Sequence, residues 1–309
     1  MSELFSIVAA LGPVFALVAL GAGFRWTRFP AVEFWPLAER FTYYLLFPVL
    51  LVLKISTAEL PQSGVGQVIA ALVLALLAMM LVSLLLARVL GLALPALSSL
   101  FQGSIRFNTY VGLAAAAELF GEQGILWGAL FLAVMIPLVN IVCVTVFIVS
   151  GRSGASRWRG LLMPLLKNPL IIACALGASL NLSGVGMPSP LIPVLELLSR
   201  MALPLGLLAV GVGLDLRVLR SGGLALWGSC LLKLLLYPLC FASIAAVLSL
   251  PQDATAVLLI FFALPTAPSA YILARQMGGD APLMAVMITL QTLLAMLTMP
   301  IVISVLGGL

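Results

Sequence analysis

Apolar runs of about twenty residues follow one another along the whole sequence, separated only by short polar or turn-forming stretches. As a helix rising about 1.5 Å per residue, such a run crosses a hydrocarbon core about 30 Å thick. Reading the runs gives ten spans, at 4–24, 34–55, 66–90, 95–119, 123–149, 168–183, 190–214, 222–249, 253–276 and 281–306. They follow no strict alternation, and several are too long for barrel strands, so an all-α membrane fold is expected. No soluble fold competes, because only 8% of the 309 residues are charged against about 25% in a domain that must face water. The bilayer is this chain's first partner.

The charges that do occur are placed by side. With the N-terminus outside, ten spans send Arg25, Arg28, Arg88, Arg152, Arg157, Arg159, Lys167, Arg217, Arg220 and Arg275 to inside loops. Outside segments receive Glu3, Glu59, Glu118, Glu122 and Asp253, with Lys54 the nearest basic exception. This positive-inside pattern puts both termini outside. It also accounts for the net charge of +5 without any nucleic-acid partner. The start Met1-Ser2-Glu3 lacks the basic leader of a cleavable signal and reads as the outer end of the first span.

There is no histidine, and Cys143, Cys174, Cys230 and Cys240 all fall inside apolar runs without ligand spacing. No metal site is expected, the cysteines read as buried small apolar residues, and hydrolytic chemistry loses its commonest base. Neither a nucleotide loop nor a paired-aspartate motif is present, so the expectation is a non-enzyme without cofactor.

The longest inside connection, 151–167, is rich in Gly, Ser and Arg and carries Trp158, which suits the membrane interface. It divides residues 1–150, five spans, from 168–309, another five. After it, Asn168-Pro169 has the form of an N-cap and first helical residue. The halves repeat. Ala19-Leu-Gly-Ala22 falls on Ala175-Leu-Gly-Ala178 and Pro48 on Pro204, while Ala117 and Gly121 fall one residue further along, on Ala274 and Gly278. Because each half holds an odd number of spans, the second must be inverted relative to the first, a device that recurs in secondary transporters.

Two spans related by that offset are interrupted. Span four carries Gln102-Gly-Ser-Ile-Arg-Phe-Asn-Thr-Tyr-Val-Gly112, and span nine Ala263-Leu-Pro-Thr-Ala-Pro-Ser-Ala-Tyr271. Pro265 and Pro268 each remove an amide donor and clash with the preceding turn. Broken ends expose amides and a partial positive charge that suit a carboxylate. The candidate substrate residues are therefore Asn108, Thr109, Pro265, Thr266, Pro268 and Ser269, together with Arg106, a cation in mid-span. Gln102, Gly112, Asn140, Lys233 and Gln291 are candidate supports. A kink with polar side chains bonded to nearby backbone would explain one interruption as well, and intramembrane amides such as Asn140 and Gln291 are as often glue between helices. Glu196 and Arg200, four apart, read as a self-compensating pair.

These interrupted segments, with Leu203-Pro-Leu-Gly-Leu-Leu-Ala-Val-Gly211, resemble the auxin efflux carrier family, which includes plant PIN-type auxin exporters and bacterial malate or malonate permeases. The resemblance spans the whole chain, and implies ten helices in two inverted five-helix repeats, with broken helices four and nine crossing at the substrate. It implies a scaffold of helices 1, 2, 6 and 7, usually dimeric, and a transport domain of helices 3–5 and 8–10 that moves as an elevator in a bacterial inner membrane. Asn108 matches the crossover asparagine of the plant exporters. The long hydrophilic loop of the plant members is missing, and Arg106 has no place in their motif. The expected cargo is a small organic anion, a mono- or dicarboxylate or an auxin-like aromatic acid. The fold is shared more distantly with bile-acid:sodium symporters, so coupling to sodium or protons stays open, as does an anion sensor that moves nothing.

Overall fold

A computed structural model describes residues 2–31, 33–58, 64–147, 168–216 and 223–307. The linker at 151–167 and the loop charges Glu59, Arg217 and Arg220 lie outside the described residues. All of the described secondary structure is helical. We number the helices by span: α1 (Ser2–Thr27), α2 (Phe34–Thr57), α3 (Val65–Val89), α4a (Leu94–Ile105), then α4b and α5 within Thr109–Phe147. The second set is α6 (Pro169–Leu182), α7 (Ile192–Gly213), α8 (Leu224–Val247), α9a (Gln252–Phe262), α9b (Ser269–Met277) and α10 (Ala281–Leu306).

Among the described residues seven helices are long and apolar enough to cross a membrane, so the chain is an integral membrane protein. The sequence led to ten spans, and the difference has local causes. α4b runs into α5 without a loop, through Gly121 alone, whose φ of 56° and ψ of −130° lie where a side chain is rarely tolerated. α6 has only 14 residues, and α9 is divided in two by its break.

α1 packs along α7, and the second half of α2 along α6 and α7. Small residues make this possible: Gly21 lies against the Leu208 carbonyl and Gly211 against the Val18 carbonyl, leaving no room for a Cβ on either helix. Asn181 of α6 donates to the carbonyls of Ile55 and Ala58, at 2.9 and 2.7 Å, satisfying the end of α2. α3, α4, α5, α8, α9 and α10 pack mainly among themselves, with Phe131, Phe241, Phe261 and Phe262 fully buried between them. At one end of this group the Trp127 indole donates to Asp253 at 3.1 Å, joining α5 to α9a.

α2 and α8 each contain a five-residue π-helical segment, Thr42–Leu46 and Leu232–Leu236. Such segments widen the turn and redirect one side chain. Here they carry Tyr43 and Lys233, and Pro48 and Pro238, which cannot donate to the turn before them, come two residues after the end of each segment.

Candidate functional site

Both expected interruptions are present. α4a ends at Ile105, Arg106 and Phe107 are non-helical, and α4b starts at Thr109. α9a ends at Phe262, and Leu264–Ala267 are non-helical before α9b. The two breaks touch, because the Asn108 amide donates to the Pro265 carbonyl at 2.9 Å. A proline lacks an N–H, but its carbonyl still accepts, and here it accepts from the other broken span.

One side chain holds this junction from behind. Gln291 of α10 accepts from the Thr266 amide at 3.0 Å and donates to the Gly103 carbonyl and the Ser229 hydroxyl, both at 2.9 Å. The Thr266 hydroxyl also donates to Gly103, at 2.8 Å. Gly103 has no space for a side chain, since a Cβ there would meet Met287 and Ser229 at 2.7 Å. Gln291 and Thr266 are fully buried and face this network.

Asn108 is also fully buried, and its carboxamide oxygen accepts from the amides of Tyr110 and Val111 at 3.1 and 3.4 Å. It is the N-cap of α4b, satisfying two amides that the break frees. Its Nδ2 has no partner among the described residues.

In front of the junction lies a cavity of about 290 Å³ lined by Arg106, Thr109, Asn140, Ser269, Tyr43, Asn168 and Gln276, with an apolar wall that includes Phe107 and Ile272. It lies at the low end of the range for small-molecule sites, about 300–1,000 Å³. Arg106 dominates it. Nη1 donates to the Ser269 hydroxyl at 3.2 Å and Nη2 to the Asn140 carboxamide oxygen. Partners from α9b and α5 thus orient the guanidinium, Cys143 also takes a hydrogen bond from it, and the buried Nε has no partner among the described residues. An arginine charge at membrane depth costs about 2.5–3.5 kcal/mol on insertion scales. Two hydrogen bonds from a charged donor, about 1.5–3 kcal/mol each, are of the size needed to offset it. Among the described residues no carboxylate lines the cavity.

Of the residues singled out in the sequence, Arg106, Thr109, Ser269 and Asn140 therefore line the cavity. Asn108, Pro265 and Thr266 form the junction behind it, with Gln291. Pro268 is the N-cap position of α9b beside Ser269. Gly112 packs against Phe261 and Leu264, and the buried Gln102 has no partner on either side-chain atom among the described residues. Lys233 is fully buried in α8, with Nζ 4.7 Å above the Tyr237 ring and no hydrogen-bond partner among the described residues. A cation–π contact contributes about 2 kcal/mol when desolvated, less than the several kcal/mol that burying an ammonium costs.

Three polar lining residues were not read as site residues. Asn168 is the expected cap of α6, accepting from Leu170 and Ile171 at 2.9 and 3.4 Å, and it also faces the cavity. Tyr43, whose hydroxyl lies beside Asn168, is turned inward by the π segment of α2. Gln276 sits near the end of α9b. Cap spacing signalled the first. Nothing periodic marks the other two.

A second cavity, about 370 Å³, opens at the other end of α4b, lined by Ala114, Glu118, Lys54, Glu196 and Arg200 among α1, α2 and α7. Between the two cavities Tyr110 meets Phe47 edge-on, with ring centroids 5.0 Å apart, and Gly206 is pressed against the same tyrosine ring. Beside the second cavity, Lys54 of α2 pairs with Glu122 of the α4b–α5 turn at 2.8 Å. Glu196 and Arg200 are 4.0 Å apart and largely exposed, the pair that their spacing led us to expect.

Residues 157–303 match a family model described as membrane transport protein. No curated protein matches the chain.

Proposed function

We propose that the chain is a secondary carrier of a small carboxylate and a member of the auxin efflux carrier family, whose membrane-transport model matches residues 157–303. The observation that carries this reading is Arg106, oriented by Asn140 and Ser269 in a cavity where two helix breaks meet. The anion accepts from the remaining guanidinium donors, with Thr109 and Gln276 as further polar contacts. A cavity of about 290 Å³ holds a small aliphatic or aromatic carboxylate.

The mechanism we propose is an elevator. α1, α2, α6 and α7 form the fixed part, through which two copies pair, and α3–α5 with α8–α10 form the moving part, the two halves of the chain being inverted repeats. Support comes from the tight α1–α7 and α2–α6 packing, from the offset-matched breaks, and from cavities on both sides of the Phe47–Tyr110 contact. Positive-inside placement makes the Arg106 cavity the cytoplasmic one, in a cell inner membrane.

Uptake of labelled malonate, malate and indole-acetate into liposomes carrying the full chain tests the reading. Saturable flux of at least one small carboxylate, lost in Arg106→Gln, is the expected result. Binding without flux would make the protein a sensor, and neither binding nor flux would end the anion assignment.

A further inference from the structure

Arg106 answers one end of a cargo, and the cavity of about 290 Å³ around it has polar groups left over. Tyr43 and Asn168 line the same space but come from α2 and α6, whereas Arg106, Thr109, Asn140, Ser269 and Gln276 come from α4, its break, α5 and α9b. Tyr43 is set there by the π segment of α2 and by the Tyr44 ring, edge-on at 5.3 Å. Asn168 is fixed by its capping bonds, its carboxamide oxygen accepting from Leu170 and Ile171 at 2.9 and 3.4 Å. With that oxygen committed, the side chain still offers its Nδ2 donors. The neighbouring Tyr43 hydroxyl can donate or accept. Together they form a neutral hydrogen-bonding corner in a cavity otherwise walled on the apolar side by Phe107, Val139, Leu170 and Ile272.

Charge limits what that corner can hold. Among the described residues Arg106 is the one charged group lining the cavity, and it balances a single carboxylate. A second carboxylate in the same space would meet neutral donors only. Taking an uncompensated charge out of water costs more than neutral hydrogen bonds return. A keto or hydroxyl oxygen carries no such penalty. We propose that Tyr43 and Asn168 form a second subsite, one that selects a monocarboxylate bearing a neutral oxygen away from its carboxylate. The proposal rests on Arg106 being the carboxylate site, and it sharpens small carboxylates in general to oxo and hydroxy acids. A cargo held in this way touches both packed groups of helices at once, its carboxylate on one and its neutral oxygen on the other.

Three ligands of nearly the same shape test this by titration calorimetry on the purified full chain, at a pH where succinate is doubly ionised. Pentanoate offers a carboxylate alone. Levulinate has a carbonyl in place of one methylene of pentanoate. Succinate has a second charged oxygen in place of the terminal methyl of levulinate. Levulinate should bind wild type about two- to tenfold more tightly than pentanoate, as one added neutral hydrogen bond allows. Succinate should bind more weakly than levulinate. Tyr43→Phe removes only the hydroxyl and should weaken levulinate severalfold more than pentanoate, a difference that general loosening of the fold would not produce. The comparison of ligands in wild type stands whether or not that variant folds. Equal affinities for pentanoate and levulinate in wild type overturn the proposal. So does an unchanged ratio between them in Tyr43→Phe, or tighter binding of succinate than of levulinate. Each of these outcomes leaves Arg106 as an anion site. If none of the three ligands binds, the Arg106 reading itself fails, and the subsite falls with it.

Discussion

Arg106 is the residue whose chemistry the rest of the site serves. A lysine in its place would keep the charge but lose the planar fork that Asn140 and Ser269 orient. Arg106→Lys should therefore lower the initial uptake rate about tenfold, as expected for the loss of one charge-assisted hydrogen bond, with little change in melting temperature. Asn108 acts differently. Asn108→Ala strips the cap from α4b, costing about 1 kcal/mol, and should lower both melting temperature and uptake. Asn108→Asp keeps the capping oxygen and so the fold, but sets a negative charge behind Arg106, and uptake should fall without the loss of stability. Sequence reasoning reached Arg106, Thr109, Asn140 and Ser269 because an intramembrane charge and polar side chains beside a break are costly unless used. It read Asn108 as a substrate residue; in the structure its carboxamide oxygen caps α4b, and its Nδ2 has no partner among the described residues. One carboxamide serves either purpose, and spacing does not distinguish them.

The two breaks were legible as elements because proline and glycine act locally: Pro265 and Pro268, three residues apart, disrupt one turn twice, whereas the single prolines Pro13, Pro204 and Pro300 stay within continuous helices. Their meeting was not, since the bond from Asn108 to the Pro265 carbonyl joins residues far apart in the chain. The same holds for Gln291, which the sequence offered only as a possible support and which in the structure bonds three elements at once. Gln291→Leu should leave the Thr266 amide buried without an acceptor, at about 1–3 kcal/mol, seen as a lower melting temperature even where expression survives. The π segments of α2 and α8 had no signal in the pattern of apolar residues, so Tyr43 went unread. Between α1 and α7 the limit is packing. Gly211→Val places atoms where the Val18 carbonyl already lies, and overpacking of about 1–3 kcal/mol should likewise appear as thermal destabilisation.

At the scale of the molecule, the fold class was written in composition and run length, while the ten-span count blurred wherever helices join or break. The arrangement of the cavities was not written there at all. α4b runs from one cavity to the other, and Lys54–Glu122 ties the α1, α2, α6 and α7 group to the turn at its far end. If that group stays still while the other moves, this pair must part in each cycle. A reducible crosslink in its place, Lys54→Cys with Glu122→Cys bridged by a short bis-methanethiosulfonate, should stop uptake, and reduction should restore it. Unimpaired flux in the crosslinked protein would argue against relative motion at this edge. The claim beneath all of this is that an anion is held by Arg106 where the broken helices meet. Titration calorimetry of the tightest-binding carboxylate against wild type and Arg106→Gln tests it most directly. An affinity loss of about tenfold or more, the size of one charge-assisted contact, in a variant that melts like wild type is expected. Equal affinities in the two proteins would contradict it.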